Sequence, residues 1–428
     1  MSMFETLGKA FRIPDIRRKI IFTLLMLIVF RLGSNIPVPG IDRAVLAEAF
    51  NGQGLFELFN LFSGGSFQNF TIFALSITPY ITASIIINLL TIAIPYLENL
   101  AKEGMEGRKK MTQITRYLTV VLALLQAVGF TLGLFRGALQ DSSDIFMTIV
   151  IIFVLTAGTA FLMWLGEQIN EYGIGNGISL IIFGGIICRA PVAINTALTN
   201  FRAGTVSMIS LLLFCVFALA VVVGVVLVQQ GQRRIPVQYA KRVVGRKMYG
   251  GQNTHIPIKV NQAGVIPVIF GLSIMQFPLT IGYFFPGSKF QTFIDHYISP
   301  NSPAGYPGVW IYVIVDAILI FAFTYFYTAI TFNPVEVAEN MRANGGFVPG
   351  IRPGRPTIEY LNNVMMRIAF VGAVFLAVIA SMPYLIQQWT DLQIQFGGTA
   401  LLIAVGVALD TMKQIENQMV MRNYKGFL

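Results

Sequence analysis

The chain has 428 residues, of which 55% are hydrophobic and only 12% are charged, yet its formal net charge is +10. A soluble domain carries about 25% charged residues to cover its surface, so this composition excludes an ordinary cytosolic globule. The 35 phenylalanines and the long aliphatic runs exclude a disordered chain. The net positive charge is consistent with three kinds of partner: nucleic acid, anionic lipid or an acidic protein.

Apolar windows long enough to cross a bilayer core of about 30 Å occur ten times along the chain. Their centres lie near Leu27, Ile85, Leu124, Val154, Ile182, Val222, Ile274, Ile320, Val374 and Val405. The second is the weakest, because a short apolar stretch at 55–62 and a break at 63–66 precede a full run at 70–94. The basic N-terminus leads into the first span without the cleavage site of a secretory signal peptide.

An even number of spans puts both termini on one side, and the basic residues indicate which side it is. If the termini lie inside, the inner segments 1–19, 96–116, 166–177, 229–262, 331–367 and 413–428 carry 24 of the 30 lysines and arginines. The positive-inside rule therefore predicts cytoplasmic termini.

Two of these inner loops are long. Residues 229–262 carry seven basic and no acidic residues, and alternating Ile235, Val237 and Tyr239, followed by Val243 and Val244, predict a projecting hairpin. Residues 331–362 are rich in Pro-Gly and Gly-Gly turns. The basic loop is either a topology determinant in contact with anionic lipid or a docking platform for protein or RNA, and its length favours docking.

Signals of ion coupling and of catalysis are weak. Ion-coupled transporters keep partnered ionisable groups at mid-membrane, whereas the candidates Arg31, Asp316 and Asp410 fall towards the ends of their spans. The sequence has no HExxH, GxSxG or P-loop motif. Its two cysteines and two histidines favour neither a disulfide framework nor a metal site, so we expect no cofactor.

Interrupted helices and isoleucine pairs are more informative. The break at 63–66 and the loose start of the seventh span at 260–267 occupy the same place in two halves of five spans, which is typical of inverted repeats. Ile81 and Ile85 share one helix face, as do Ile182 and Ile186. Such pairs are ordinary packing surface, or part of a hydrophobic constriction that blocks ions by dewetting.

Four motifs, in order, resemble those of the SecY/SEC61-alpha family of protein-conducting channels. They are FALSITPYITASIIIN at 73–88, EYGIGNGIS at 171–179, VNQAGVIP at 260–267 and FVPGIRPG at 347–354. Three residues depart from the common pattern: Ser76 stands where the family commonly has Gly, Thr78 where it has Met, and Asn88 where it has Gln.

The resemblance implies an all-α polytopic membrane protein with ten transmembrane helices, in two pseudo-symmetric, inverted five-helix halves around a central hourglass pore. The N-terminal half would span 1–205 and include a plug helix at about 55–67. The C-terminal half would span 206–428 and include the cytosolic loops 229–262 and 331–362.

The resemblance also assigns residues to four sites. The pore ring would be Ile81, Ile85, Ile182, Ile186, Ile269 and Ile403, and the plug Leu55, Phe56, Leu58, Phe59, Leu61, Phe62, Ser63, Gly64 and Gly65. A lateral gate between spans two/three and seven/eight would contain Asn88, Gln126 and Ser273, and docking would use Arg234, Arg246, Lys247 and Arg352.

The implied function is translocation of unfolded secretory polypeptides across the bacterial plasma membrane, with sideways release of hydrophobic segments into the bilayer. The chain would not be an enzyme, since a motor ATPase or the ribosome would supply the energy. Implied partners are the small subunits SecE and SecG, the motor SecA, the ribosome, signal peptides and preproteins, and anionic lipids. The alternatives are an inverted-repeat secondary transporter of a small solute and a structural membrane scaffold.

Overall fold

The described part of the computed structural model is predominantly helical. It comprises residues 8, 10–41, 63–134, 139, 144–204, 208–239, 242–244, 247–249, 254–283, 285, 287–300, 302, 306–390 and 398–425. Its helices are α1 (Pro14–Gly33), α2 (Thr78–Ala93), α3 (Pro95–Lys102), α4 (Met105–Gly129), α5 (Ile145–Tyr172), α6 (Gly177–Arg202), α7 (Met208–Gln230), α8 (Ile266–Tyr283), α9 (Lys289–Tyr297), α10 (Gly308–Thr331), α11 (Pro334–Ala343), α12 (Arg355–Thr390) and α13 (Gly398–Lys425). Its strands are β1 (Gln232–Tyr239), β2 (Arg242–Val244), β3 (Lys247–Tyr249), β4 (Thr254–Lys259) and β5 (Gly346–Phe347).

Each of the ten predicted span centres lies inside a helix, namely α1, α2, α4, α5, α6, α7, α8, α10, α12 and α13. Within the described residues, five helical stretches are long and apolar enough to cross a membrane: Met105–Gly133, Ile145–Tyr172, Gly177–Arg202, Gly308–Ala343 and Arg355–Tyr384. The bent pair α2 and α3 adds a sixth. The fold is therefore that of a multi-helix membrane protein.

The second span is shorter than its apolar run predicts. The run covers 70–94, but α2 begins only at Thr78, because Phe70 (φ 43°) and Ser76 (φ 55°) have left-handed backbone conformations that helices exclude. The segment before α2 is held to the segment that follows α1, since the amide of Val38 donates to the carbonyl of Phe70 (3.0 Å). At the other end, the chain turns by 100° at Pro95, which lacks the amide hydrogen that would continue the helix.

The predicted loop does form antiparallel strands, but Val243 and Val244 lie in β2, which pairs with β3 and not with β1. β1 pairs antiparallel with β4, and Ile235 lies opposite Ile256. Ile235 and Val237 are each 1% exposed, as their alternation predicts. β1 also pairs with β5, which lies in the second long loop, so the two loops form one three-stranded sheet in the order β4-β1-β5. We call this sheet the platform.

The platform marks one end of the helix bundle, here called the platform side. α7 ends two residues before β1, and α8 starts after β4. The amide of Gly175 donates to Gln414 Oε1 (3.0 Å), and Lys413 Nζ donates to the carbonyl of Gln229 (3.3 Å). These contacts place the end of α5 and the C-terminal part of α13 on the same side, whereas the end of α8 and the start of α10 lie opposite.

Candidate functional site

The six isoleucines predicted to form the ring come together in the interior. They derive from four helices, α2, α6, α8 and α13, and all belong to one buried apolar cluster. Their exposed fractions are Ile81 6%, Ile85 3%, Ile182 1%, Ile186 0%, Ile269 5% and Ile403 0%. The isoleucine pairs at helical spacing therefore face the centre of the bundle and not its outer surface.

A polar cavity of about 330 Å³ lies on the platform side of these isoleucines. Its wall includes Val265 and Val407, each one helical turn from Ile269 and Ile403 respectively, towards the platform. The remaining lining is mostly polar and includes Asn176, Ser179, Lys259, Asp410, Thr411, Lys413, Gln414 and Asn417. The cavity therefore borders the apolar cluster, to which Val265 and Val407 both belong.

The C-terminal part of the predicted plug lies against α6 at the level of the cluster. A Cβ atom placed on Gly64 would be 2.8 Å from Gly185 Cα, so only glycine allows this approach. Gly64 (φ 64°) and Gly65 (φ 95°) are also left-handed, which glycine adopts without strain. Arg31 Nη1 donates to the carbonyl of Gly64 (3.2 Å).

Ser63 begins the described part of the plug, and its Oγ accepts a hydrogen bond from the amide of Phe67 (3.0 Å). The other predicted plug residues lie outside the described residues; they are Leu55, Phe56, Leu58, Phe59, Leu61 and Phe62.

The predicted gate residues lie on α2, α4 and α8, and α8 contacts both α2 and α4. Asn88 Nδ2 donates to the hydroxyl of Tyr327 on α10 (3.5 Å), so one hydrogen bond joins the two sides of the predicted gate. Ser273 Oγ donates within its own helix to the carbonyl of Ile269 (2.7 Å). Gln126 Oε1 is buried and, among the described residues, accepts no hydrogen bond.

Tyr327 contacts a predicted gate residue, although the sequence gives no indication of this contact. It lies in the run FAFTYFYTAITF of α10, where an aromatic residue gives no signal of its own. The structure distinguishes it by the hydrogen bond from Asn88 and by an edge-on contact with Phe270 of α8, with ring centroids 5.4 Å apart.

The predicted docking residues lie in the two loops that the platform joins. Arg234 is exposed on β1, and Arg352 is exposed in the turn between β5 and α12. The carbonyl of Arg352 accepts a hydrogen bond from Thr357 Oγ1 (2.9 Å), which fixes that turn. Lys247 lies in β3, opposite Val244, and Arg246 lies outside the described residues.

Asp316 is placed differently from the sequence expectation. It lies two turns inside α10, is 1% exposed, and neither carboxylate oxygen has a hydrogen-bond partner in the described part of the chain. No group of three or more His, Cys, Asp or Glu side chains suited to a metal occurs among the residues that the structure describes. Asp316 therefore has no partner there of the kind that an ion-coupling site uses.

Sequence comparisons agree with the geometry. The sequence profile of the SecY family matches residues 71–412. The chain is 49% identical to the protein translocase subunit SecY of Halalkalibacterium halodurans over 437 aligned residues, covering 100% of both chains. The identity to the SecY subunit of Bacillus subtilis is 46% over 437 residues, again covering 100% of both chains.

Solved structures share the fold. A structure described as that of a protein conducting channel matches with a TM-score of 0.68 at 19% identity, covering 94% of this chain and 93% of that one. A second, from work on the plug domain of SecY and the closed channel, has a TM-score of 0.68 at 20% identity and covers 94% and 92%. Sec61 in the canine ribosome-channel complex has a TM-score of 0.63 at 19% identity and covers 94% and 93%.

Proposed function

The chain belongs to the SecY family, and on that premise we propose how its own residues move a polypeptide through a membrane. It is a protein-conducting translocation channel, because its full-length relatives are protein translocase subunits and its fold is that of protein-conducting channels. The observation from the structure that supports the mechanism is that Val265 and Val407, which line a polar cavity, belong to the same buried apolar cluster as the six isoleucines. Neither the relatives nor the fold supports a transporter of small solutes.

The proposed topology has ten spans in two inverted halves, 1–205 and 206–428, around an hourglass pore. The ten helices that contain the predicted centres support this count. The platform side is the cytoplasmic side, because the segments predicted to lie inside carry 24 of the 30 basic residues. Both termini are then cytoplasmic in a bacterial plasma membrane.

The proposed path runs from the polar cavity through the isoleucine ring. A polypeptide in hydrocarbon would leave backbone polar groups unsatisfied, at a cost of several kcal/mol each. A water-filled vestibule shortens the apolar passage to one thin ring, which has no polar group to retain the moving chain. In the resting channel the ring and the plug exclude ions, because the apolar constriction stays dry.

The proposed lateral gate lies between α2/α4 and α8/α10. Its polar residues are Asn88, Gln126, Ser273 and Tyr327, and Asn88 and Tyr327 hold the two sides together in the closed state. A hydrophobic signal segment leaves through the gate because burial in lipid contributes about 25 cal/mol per Å² of apolar surface.

The platform is the proposed docking surface for the partner that drives translocation. Arg234 and Arg352 are exposed there, and the acid-free loop 229–262 gives this face its positive charge. The structure of Sec61 in the canine ribosome-channel complex, which has the same fold, supports a ribosome as one partner. SecA, SecE, SecG, preproteins and anionic lipids are the other proposed partners, and the motor or the ribosome supplies the energy.

Reconstitution tests this function. The full chain is placed in vesicles with its small partner subunits, and a motor ATPase, ATP and a preprotein are added outside. We expect preprotein to become protected from protease only when ATP and the chain are both present. If confirmed-active components give no protected preprotein, the proposed function is wrong.

A further inference from the structure

The short helix α9 connects two spans on the side opposite the platform and has no role in the path described above. Its N-terminus is well defined, because Ser288 Oγ accepts a hydrogen bond from the amide of Gln291 (3.1 Å). Gln291 Oε1 in turn accepts one from the amide of Gly287 (2.8 Å). The helix is thus a fixed element and not a loosely wound connection.

One side of α9 packs against the two helices it connects. Ile294 is 2% exposed, and its Cδ1 would lie 3.4 Å from a Cβ atom placed on Gly282 of α8. The carbonyl of His296 would lie 2.5 Å from a Cβ atom on Gly308, the first residue of α10. These contacts fix the level of α9 at the end of α8 and the start of α10.

The other side of α9 exposes three aromatic residues at spacings of three and four, which place them on one face. Phe290 is 46% exposed, Phe293 52% and Tyr297 38%, and we call these residues the aromatic stripe. The rings of Phe293 and Tyr297 stack with centroids 5.1 Å apart. Tyr306, 43% exposed and in edge contact with Tyr297, extends the stripe towards α10.

A polar stripe runs beside it. Lys289, Thr292 and His296 repeat at the same spacings, one position earlier, and Lys289 and Thr292 are exposed. The exposed surface of α9 is therefore amphipathic: the aromatic stripe lies on one side of it and the polar stripe on the other.

We propose that α9 lies in the interfacial layer of the leaflet opposite the platform, with its aromatic stripe in lipid and its polar stripe in water. The position of α9 beside the end of α8 and the start of α10 supports this, because helices that cross a bilayer end at the interface. The lipid-facing surface also continues from it onto α10, where Trp310 is 50% and Ile314 57% exposed. Aromatic residues concentrate at this depth, since their rings are apolar and their edges tolerate water.

This placement gives the gate helices α8 and α10 an anchor in the leaflet.

A protein partner is the other kind of occupant that an exposed aromatic stripe would suit, and the experiment below distinguishes the two. The proposal rests on the helices around α9 crossing a bilayer, and it fails or holds independently of whether the channel moves polypeptides.

Site-directed spin labelling tests the orientation of α9. The full chain, with Cys188 and Cys215 replaced by alanine, carries one cysteine at a time: Phe293→Cys, with Thr292→Cys as its neighbour on the polar stripe. A second pair, Phe290→Cys and Lys289→Cys, guards against a local effect of one substitution. Each labelled protein is reconstituted into vesicles of phosphatidylethanolamine and phosphatidylglycerol, and its collisions with oxygen and with a water-soluble nickel chelate are measured.

We expect oxygen, which concentrates in lipid, to dominate at positions 290 and 293, and the nickel chelate to dominate at 289 and 292. Nickel access that is equally high at all four positions would mean that the stripe faces water, and would overturn the proposal. Labels at 290 and 293 that neither reagent reaches would mean that protein covers the stripe, and would overturn it as well.

Discussion

Replacing Ile186 by serine tests whether the apolar ring is the barrier to ions. Ile186 is fully buried in the cluster, so its side chain contributes about 1.5–3 kcal/mol of apolar burial that a water-filled ring would lose. Serine removes most of that contribution and offers a hydroxyl to water. At 1.4 kcal/mol per factor of ten, a shift of about 1.5–3 kcal/mol raises the hydrated fraction of the ring roughly 10- to 150-fold.

The assay is resting ion conductance of the reconstituted chain in planar bilayers, without preprotein or motor. Ile187→Ser is the matched control, because Ile187 is the next residue of the same helix and 48% of it faces outwards. Serine is tolerated there, since its hydroxyl can bond to a carbonyl one turn earlier.

We expect a rise of one to two orders of magnitude for Ile186→Ser and no change for Ile187→Ser. Ile85→Ser and Ile403→Ser should behave like Ile186→Ser, since both residues belong to the same cluster. Equal conductance of the Ile186 and Ile187 variants, in proteins that express and insert equally, would refute the ring as barrier.

Three further predictions, each made with a paired variant, have definite expected outcomes. Ser76→Gly should raise the thermal unfolding temperature and Ser76→Val should lower it, because a left-handed backbone costs a side-chain-bearing residue about 1–2 kcal/mol. A higher unfolding temperature for the valine variant than for the glycine variant would contradict backbone strain at Ser76. Tyr327→Phe removes the acceptor for Asn88, so a preprotein with a weakened signal segment should be translocated more efficiently, and Asn88→Ala should add nothing to that gain. No gain would argue that the Asn88–Tyr327 hydrogen bond does not hold the gate closed. Arg352→Glu should reduce motor-driven translocation several-fold at normal expression, whereas Arg202→Glu, the same charge change at the other end of the bundle, should leave it unchanged; equal effects would exclude docking at Arg352.

The sequence predicts the helices well because each span is a local property of the chain. Every predicted centre, from Leu27 to Val405, lies within a helix, and the alternation of Ile235 and Val237 predicts the hairpin. Hydrophobic length and period need no knowledge of what the residues contact. The isoleucine pairs could be found in the same way, but their direction could not, since a helix face facing lipid and one facing a pore are equally apolar.

The remaining features depend on contacts between distant parts of the chain. The pairing of β1 with β5 joins loops about a hundred residues apart, and no local pattern marks β5. Tyr327 gains its importance only from the approach of Asn88, and the late start of α2 follows from left-handed residues inside an apolar run. The aromatic stripe of α9 is short, so a window sized for a membrane span does not detect it.

Passage of the translocating polypeptide through the isoleucine ring is tested most directly by disulfide crosslinking of a stalled chain. A preprotein with one cysteine in its middle is halted by a folded C-terminal domain in channels that carry Ile186→Cys or Ile187→Cys in a background without Cys188 and Cys215. We expect an ATP-dependent disulfide to position 186 and none to position 187. A disulfide to position 187 alone would contradict passage through the ring. So would the absence of a disulfide at both positions, if channels with Ile85→Cys or Ile403→Cys also form none.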